Sequence, residues 1–250
     1  MKTIETVKKL KKTYQIHIKS DSYEIEPEVY LKFHIKPGLE IEEKIWKELI
    51  AENDYLRYYK LGIIKLKKML TRYEMKNYLL SVGASEGIIK QVISKFVEKR
   101  YLDDLIYTKE YIQMKKYQYG PLVLEHQLRE KGVDFDLIKA QIDHIDEQEI
   151  LLLQLPKKLS SIKNKSKRQA ILTVKTHFIR NGYTNQIVSS VLEKSLDQYQ
   201  GDELKLIQRD YEKLYLRLSK KFSGYELKSS IKEKLYQKGY TIEDIQKVLN

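Results

Sequence analysis

The chain contains no cysteine among its 250 residues. Disulfide bonds, a thiol nucleophile and a cysteine zinc site are therefore excluded, and this composition suits the reducing cytoplasm. Long apolar runs are also missing, since the longest aliphatic run is ILLL at 150–153, far too short to span a bilayer. The first residues, MKTIETVKKLKKTY, have no apolar core of signal-peptide length. These absences predict a soluble, cytoplasmic protein without membrane contact.

Recognisable catalytic and cofactor motifs are missing as well. The five histidines are never three or four residues apart, so a metal site is not expected. There is no serine elbow, and neither GYELKSS nor GASEG has the strand and the lysine that a phosphate-binding loop requires. We therefore expect no cofactor and no catalytic residue. The histidines are His17, His34, His126, His144 and His177.

Positive charge is in excess and is unevenly distributed. Lys and Arg total 47 against 35 Asp and Glu, a net charge of +12, which favours anionic partners such as nucleic acid or an acidic protein surface. In successive blocks of fifty residues the net charge is +1, +6, −5, +7 and +3. An alternation of this kind suits a partner that presents both signs along a track.

The first 25 residues show the alternation of apolar and polar side chains that is typical of β-strands. Apolar residues alternate from Tyr14 to Ile18, SDS at 20–22 turns the chain, and the alternation resumes at Tyr23. Thr3 to Val7 is a candidate third strand. From Pro27 onwards the period becomes helical, and the rest of the chain is expected to be α-helical.

A repeat centred on glycine organises the helical part. Apolar residues stand four and eight positions before each glycine and six and ten positions after it. Each unit is therefore a helix, a glycine that ends it in the left-handed conformation, and a helix that packs back. The spacings of 49, 50 and 57 residues leave room for a third helix in each unit. The glycines are Gly83, Gly132, Gly182 and Gly239.

The predicted fold is mainly α, with about four tandem three-helix repeats in an elongated, curved array after a small N-terminal β-hairpin segment. The alternative is a set of unrelated helical hairpins that share glycine caps. The predicted divisions are residues 1–50 for the hairpin and a helix, and 51–98, 99–145, 146–198 and 199–250 for the four repeats.

Two helix starts are marked by capping residues. TRYE at 71–74 is a capping box, in which the Thr71 hydroxyl accepts from the Glu74 amide while Glu74 reaches back. In YLDDLIYTKEYI, Asp103 is the expected N-cap, and Asp104 occupies the first helical position, where negative charge is favourable. A catalytic or metal role would need further convergent ligands, which this helix face lacks.

Two basic clusters precede the second helix of repeats one and three. Arg72 lies in the first turn of its helix, where it opposes the helix dipole, so helix stability does not explain it. Charged runs are usually solvated surface, but equivalent placement in two repeats favours contact with phosphate or acidic side chains. The candidate partner-binding residues are Lys65, Lys67, Lys68 and Arg72 in the first cluster and Lys163, Lys165, Lys167 and Arg168 in the second.

The ordered motifs resemble those of the RecX family, the bacterial regulators of the RecA recombinase. YLDDLIYTKEYI and the following KYQYGPLVLEHQLREKGVDFDLIKAQI are similar to the family's Y-L-D-D helix, K-x-x-G turn and L-x-x-K-G-[IV] signature. LKKMLTRYEMKNYLLSVGASEGIIKQVI is similar to its first repeat, and KRQAILTVKTHFIRNGYTNQIVSSVL to its third. The resemblance is clear over roughly residues 50–195. Leu70 departs from it, since the family usually has Arg or another polar residue there.

The resemblance implies a non-enzymatic protein that binds RecA filaments, with single- or double-stranded DNA as a further partner; we also expect a monomer. Members of the family lie in the groove of the RecA–DNA filament and bridge its protomers. They restrain filament growth, ATP hydrolysis, strand exchange and coprotease activity in homologous recombination, DNA repair and the SOS response. Two other classes stay open: a helix-turn-helix-like transcription regulator acting without RecA, and an enzyme, for which no residue constellation exists.

Overall fold

The computed structural model describes residues 1–249, and these are mainly α-helical after a small N-terminal region of antiparallel strands. This confirms the predicted fold class. Three strands form one sheet in chain order and two very short strands pair separately. The sheet comprises β2 (Thr6–Lys9), β3 (Tyr14–Ile18) and β4 (Asp21–Ile25), and the separate pair is β1 (Lys2–Thr3) with β5 (Glu40–Ile41).

β2 corresponds to the candidate third strand, but it lies later in the chain than the predicted Thr3–Val7. Its last residue, Lys9, pairs with Tyr14 across the hairpin. The residues before it join β5 instead, because the fully buried Ile4 donates its N–H to the carbonyl of Leu39 at 3.0 Å. The alternation of side chains does not reveal this change of partner, and it does not reveal β5, which has only two residues.

Two helices follow the strands, and the second connects two cores. α1 (Pro27–Lys32) has proline at its first position, as expected, and α2 is Glu43–Lys65. α2 runs unbroken through residues 50 and 51, where the sequence placed the boundary of the first repeat. Trp46 lies in the core under the strands, whereas Tyr58 lies in the next core. The predicted boundary is therefore not a break in secondary structure.

From α2 onwards the helices fall into four triplets, which we number in chain order. The first, third and fourth triplets each enclose an apolar core of their own. No helix within residues 1–249 is long and apolar enough to cross a membrane. After α2 the helices are α3 (Arg72–Ser81), α4 (Glu86–Glu98), α5 (Asp104–Lys115), α6 (Pro121–Glu130), α7 (Phe135–Ile142), α8 (Glu147–Ser161), α9 (Lys167–Arg180), α10 (Asn185–Lys194), α11 (Glu203–Leu218), α12 (Gly224–Gln237) and α13 (Ile242–Leu249).

The chain divides into two compact units. The first is Met1–Lys109 with Glu130–Asp134, and the second is Glu110–Arg129 with Phe135 onward. The division into five segments and the elongated arrangement of the repeats stay predictions.

The repeat glycines have the left-handed backbone that the sequence pattern requires. Their φ angles are +91°, +70°, +89° and +87° in chain order, a region that glycine occupies without steric cost. Of the apolar residues ten positions after each glycine, Leu192 is buried and the others are partly buried. Every predicted apolar residue four and eight positions before and six positions after the glycines is buried: Met75, Leu79, Ile89, Leu124, Leu128, Ile138, Val174, Phe178, Val188, Ile231, Leu235 and Ile245.

Three of the glycine turns contact the start of the second helix of the preceding triplet. In each case the residue just before that helix donates a hydrogen bond to the carbonyl just before the glycine. Helix C-termini leave such carbonyls without an intrahelical partner, so this contact satisfies one of them. The donor and acceptor residues are Thr71 and Lys131 at 2.6 Å, Gly120 and Asn181 at 2.7 Å, and Ser166 and Lys238 at 2.6 Å.

A carboxylate makes a second contact at two of these helix starts. Asp104 accepts from the backbone N–H of Arg72 at 2.9 Å, and Glu203 accepts from that of Lys167 at 2.6 Å. Each acid is the first residue of the next triplet, and each amide belongs to the first residue of its helix. Such amides have no acceptor within the helix, and a carboxylate also suits the positive end of the dipole. We call the meeting of a glycine turn with the helix start of the preceding triplet a joint; it includes the carbonyl contact and, at α3 and α9, the carboxylate contact as well.

The joint between triplets two and three lacks the carboxylate contact for a covalent reason. α6 begins at Pro121, which has no backbone N–H to donate. The equivalent acid, Glu147, accepts instead from the backbone N–H and the hydroxyl of Thr184, at 2.7 and 2.8 Å. Thr184 precedes α10, so this acid ties together two helices of its own triplet.

We predict that Gly120→Ala destabilises the protein. Its Cβ would lie 2.5 Å from the carbonyl atoms of Gly182, and backbone atoms cannot move aside as a flexible side chain can. We expect a loss of about 1–3 kcal/mol in the free energy of unfolding, measured by urea denaturation with circular dichroism.

Gly87→Ala in α4 is the matched control, because a Cβ there meets no atom within 4 Å. We expect it to be neutral or to stabilise by up to about 1 kcal/mol, since alanine favours helix more than glycine does. Equal destabilisation by the two substitutions would contradict the close approach at Gly120.

Candidate partner-binding surfaces

The two predicted basic clusters lie at equivalent places in the first and third triplets. Arg72 is the first residue of α3, and Lys167 is the first residue of α9. Each has its backbone N–H bound by an acid of the next triplet. The remaining residues of each cluster lie just before or just after these positions. Each cluster therefore surrounds one end of a joint.

In the first cluster, some residues are engaged within the protein and others are not. Lys65 lies in the last turn of α2, where a cation suits the helix dipole, and its Nζ is 4.8 Å from the ring centre of Tyr78. Leu70, the departure from the RecX pattern, packs against the core of the first triplet. Lys67 and Lys68 are exposed, and their side chains make no contact with any partner among residues 1–249.

Arg72 has an ion-pair partner that its position in the first turn of a helix did not predict. Its Nε lies 3.7 Å from Oδ2 of Asp104, whose other oxygen accepts from the Arg72 backbone N–H. One carboxylate thus binds the amide and offsets the guanidinium charge at the same helix end. Arg72 contributes to the joint, and contact with an outside partner stays a prediction for it.

The second cluster shows the same division. Lys165 donates from Nζ to the hydroxyl of Thr173 at 3.1 Å. The Arg168 guanidinium lies 5.9 Å from the ring centre of Tyr236 in the fourth triplet. Lys163 is exposed, and its side chain has no partner among the described residues. Lys167 is half-buried, and its side-chain ammonium likewise has no partner among those residues. Four of the eight cations in these two clusters thus have no partner among the described residues, and we call them the open lysines: Lys67, Lys68, Lys163 and Lys167.

The predicted capping residues have the expected geometry. Thr71 and Glu74 form both hydrogen bonds of the capping box. Asp103 accepts from the amides of Leu105 and Ile106, at 3.0 Å each, and so caps α5. Residues 1–249 hold no group of three or more acids and histidines that could bind a metal ion.

The acids of the joints were not inferred as such from sequence, although a signal exists. An acidic pair starts the first helix of triplets two, three and four, at 103–104, 146–147 and 202–203. The first member caps its own helix: Asp146 accepts from Glu149 and Asp202 from Lys205. The second member is the residue that reaches another helix. Comparing the three pairs would have separated the two functions.

A groove between α3 and α4 offers a second surface in the first triplet. Its volume is about 540 Å³. Cationic, acidic and aliphatic side chains line it together. The cations are Arg72, Lys76 and Lys90, the acid is Glu86, and the aliphatic residues are Ile89, Ile93 and Val97.

Asp210 anchors the turn against which the second cluster lies. Its side chain is largely buried and accepts from Lys238 Nζ at 2.9 Å and from the Tyr240 hydroxyl at 3.1 Å. Burial alone would raise the pKa of Asp210, but the hydrogen bond and charge of Lys238 outweigh it and hold that pKa below its usual value. The carbonyl of Lys238 is the one that accepts from Ser166, so this network fixes one side of the joint.

The fold and these surfaces describe a helical-repeat protein with exposed basic side chains in its loops. A scan against models of known protein families finds none that matches the chain. Among curated proteins, "Regulatory protein RecX" of Halalkalibacterium halodurans is 26% identical, with 99% of this chain and 97% of the relative covered. The protein of the same name from Bacillus mycoides is 25% identical, with coverages of 97% and 94%.

Solved structures show the same fold. A crystal structure of regulatory protein RecX superposes with a TM-score of 0.59 at 17% identity, covering 77% of this chain and all of the other. RecX from Lactobacillus salivarius gives a TM-score of 0.53 at 19% identity, with coverages of 58% and 97%. Together with the curated relatives, these matches confirm the resemblance to the RecX family along nearly the whole chain.

We predict that Asp210 makes stability depend on pH in the acid range. A carboxyl whose pKa is lowered by folding contributes stability above its unfolded pKa of about 3.9, and that contribution is lost as the pH falls through the folded value. Asp210→Asn should therefore be less stable than the wild type near neutral pH, and the difference should shrink on acidification. Urea denaturation between about pH 7 and pH 2 measures it.

Asp143→Asn, an exposed change in the same unit, should follow the wild-type curve at every pH. If the Asp210→Asn curve also ran parallel to the wild type, the ionised Asp210 network would not contribute to stability.

Proposed function

We propose that this chain is a non-enzymatic regulator that binds RecA or RecA–DNA filaments in the cytoplasm. In this proposal it mostly inhibits the recombinase, ATPase and coprotease activities of RecA during recombination and repair, including the SOS response. The support from homology is the name "Regulatory protein RecX" borne by relatives that align with nearly the whole chain. That name indicates a regulatory role and specifies no chemical reaction.

The observation that carries the proposal is the pair of open-lysine sets at equivalent helix starts. Lys67 and Lys68 precede α3, and Lys163 precedes α9, whose first residue is Lys167. A partner with repeated subunits would present the same acidic or phosphate group at intervals, and equivalent loops of one chain could each contact one copy. Linked weak contacts gain avidity without any single strong site. A monomer suffices for this mode of binding.

The alternative, a helix-turn-helix-like DNA-binding regulator that acts without RecA, has less support. Its sequence signature would be a recognition helix rich in base-reading residues and a dimer seam. The open lysines instead belong mainly to loops, where contacts to phosphate or carboxylate groups position a partner without reading bases. A defined palindromic footprint on DNA in the absence of RecA would favour this alternative.

The test is cosedimentation with preformed RecA filaments. We expect Lys67→Glu with Lys68→Glu, and separately Lys163→Glu with Lys167→Glu, to weaken filament binding roughly tenfold or more, because each pair removes one of the linked contacts. Inhibition of the DNA-dependent ATPase of RecA should weaken in parallel. The helical circular dichroism signal should be unchanged, since these side chains have no internal partner.

Lys220→Glu with Lys221→Glu is the control, because it makes the same change of charge on exposed lysines outside both clusters. It should bind filaments like the wild type apart from a small effect of net charge. If all three double variants bound equally, the open lysines would have no part in the interaction. If the wild type left filament binding and RecA ATPase untouched, the proposed function itself would fail.

A further inference from the structure

The hairpin formed by β2 and β3 carries a dense basic cluster that neither the sequence argument nor the proposed function uses. Four of the five residues from 8 to 12 are lysines, in the string KKLKK. Two end β2 and two lie in the loop that follows, and all four are exposed. We call them the hairpin lysines: Lys8, Lys9, Lys11 and Lys12.

The hairpin lysines lack the carboxylate partners that other lysines of this unit have. Lys32 pairs with Glu52, Lys60 with both Glu26 and Glu28, and Lys95 with Glu98. By contrast, no hairpin lysine side chain has an ion pair, a hydrogen bond or a ring contact within residues 1–249. Four unneutralised like charges repel one another, so fold stability does not explain them.

The backbone that carries these lysines is held in place. The Leu10 N–H donates to the Thr13 carbonyl at 2.9 Å and closes the loop. Tyr14, the first residue of β3, stacks on Tyr30 with ring centres 3.8 Å apart and planes 6° from parallel. Glu24 lies across the sheet from Lys8, two strands away, and its carboxylate accepts a hydrogen bond from the Thr13 hydroxyl. The scaffold is therefore ordered, while the ammonium groups are available.

The chemistry around the cluster selects the ligand. An ammonium group is a point charge with three hydrogen-bond donors, so it can bind the phosphate oxygens of DNA whatever the base sequence. Leu10 is partly buried, so the loop presents no exposed apolar residue for insertion into a lipid bilayer. Residues 8–13 include no aromatic side chain on which an unpaired base could stack, and Tyr30 covers one face of the neighbouring Tyr14 ring. We infer that the hairpin lysines bind the phosphate backbone of duplex DNA without sequence preference.

The test measures binding of a fluorescein-labelled duplex of arbitrary sequence by fluorescence anisotropy over a range of salt concentrations, without RecA. The variant changes all four hairpin lysines to glutamine, which removes charge and keeps side-chain length. Each lysine that neutralises a phosphate adds about 0.9 to the slope of log affinity against log salt. We therefore expect the slope to fall by roughly 3–4 and the affinity at low salt to fall about tenfold or more. Changing only Lys11 and Lys12 should give about half the loss of slope.

The control removes four exposed lysines of the fourth triplet that also lack internal partners: Lys213, Lys220, Lys221 and Lys228. It has the same net charge as the hairpin variant and should keep most of the wild-type slope. If the slope fell equally in both variants, the effect would depend only on net charge, which would overturn the inference. An unchanged affinity of the hairpin variant for the duplex would also overturn the inference. The same conclusion would follow if this variant lost only its binding to phosphatidylglycerol vesicles. Because RecA is absent, neither outcome bears on the filament proposal.

Discussion

The joints depend on a hydrogen bond that an α-helix cannot make by itself. The first amides of a helix have no acceptor within it, and at α3 and α9 the acceptor is a carboxylate from the following triplet. At the same ends, a threonine or serine hydroxyl donates to the carbonyl before a repeat glycine. Two helix ends thus satisfy each other, and glycine suits this approach. A Cβ on Gly132 would lie 2.3 Å from Tyr73 and one on Gly239 would lie 3.0 Å from Ser166, and both glycines have the left-handed backbone that favours glycine. Polar complementarity, in addition to apolar area, therefore specifies how these helices meet.

The same contact offsets one of the cations in the first basic cluster. At the first joint the carboxylate that binds the helix amide also lies beside Arg72, which offsets the charge of that side chain. The neighbouring lysines have no such acid and stay exposed in loops whose ends the joints hold. The joints at α3 and α9 have the same two contacts, so the loops before these helices are equivalent in the first and third triplets. Loops placed in this way would suit the repeated, individually weak contacts that we propose for partner binding.

The sequence predicted the features that repeat and missed those that depend on distant residues. Glycine spacing with its apolar stripes identified the buried residues of the second and third helices, because burial at fixed positions leaves a periodic signal. Asp103 was predicted as a helix cap because that role depends only on residues next to it in the sequence. The partner of Asp104 is 32 residues away and could not be read from local pattern. The pairing of β1 with β5 was missed because two residues give no periodicity, and helix patterns do not identify a binding partner.

Amide hydrogen exchange at Arg72 and Lys167 tests the account of the joints most directly. Asp104→Ala should speed exchange at Arg72, and Glu203→Ala at Lys167, roughly tenfold each, the size of a lost helix cap. Glu147→Ala should leave both amides unchanged and expose the amide of Thr184, because that acid binds within its own triplet. Unchanged exchange at Arg72 and Lys167 in the first two variants would show that the carboxylates do not hold these helix ends.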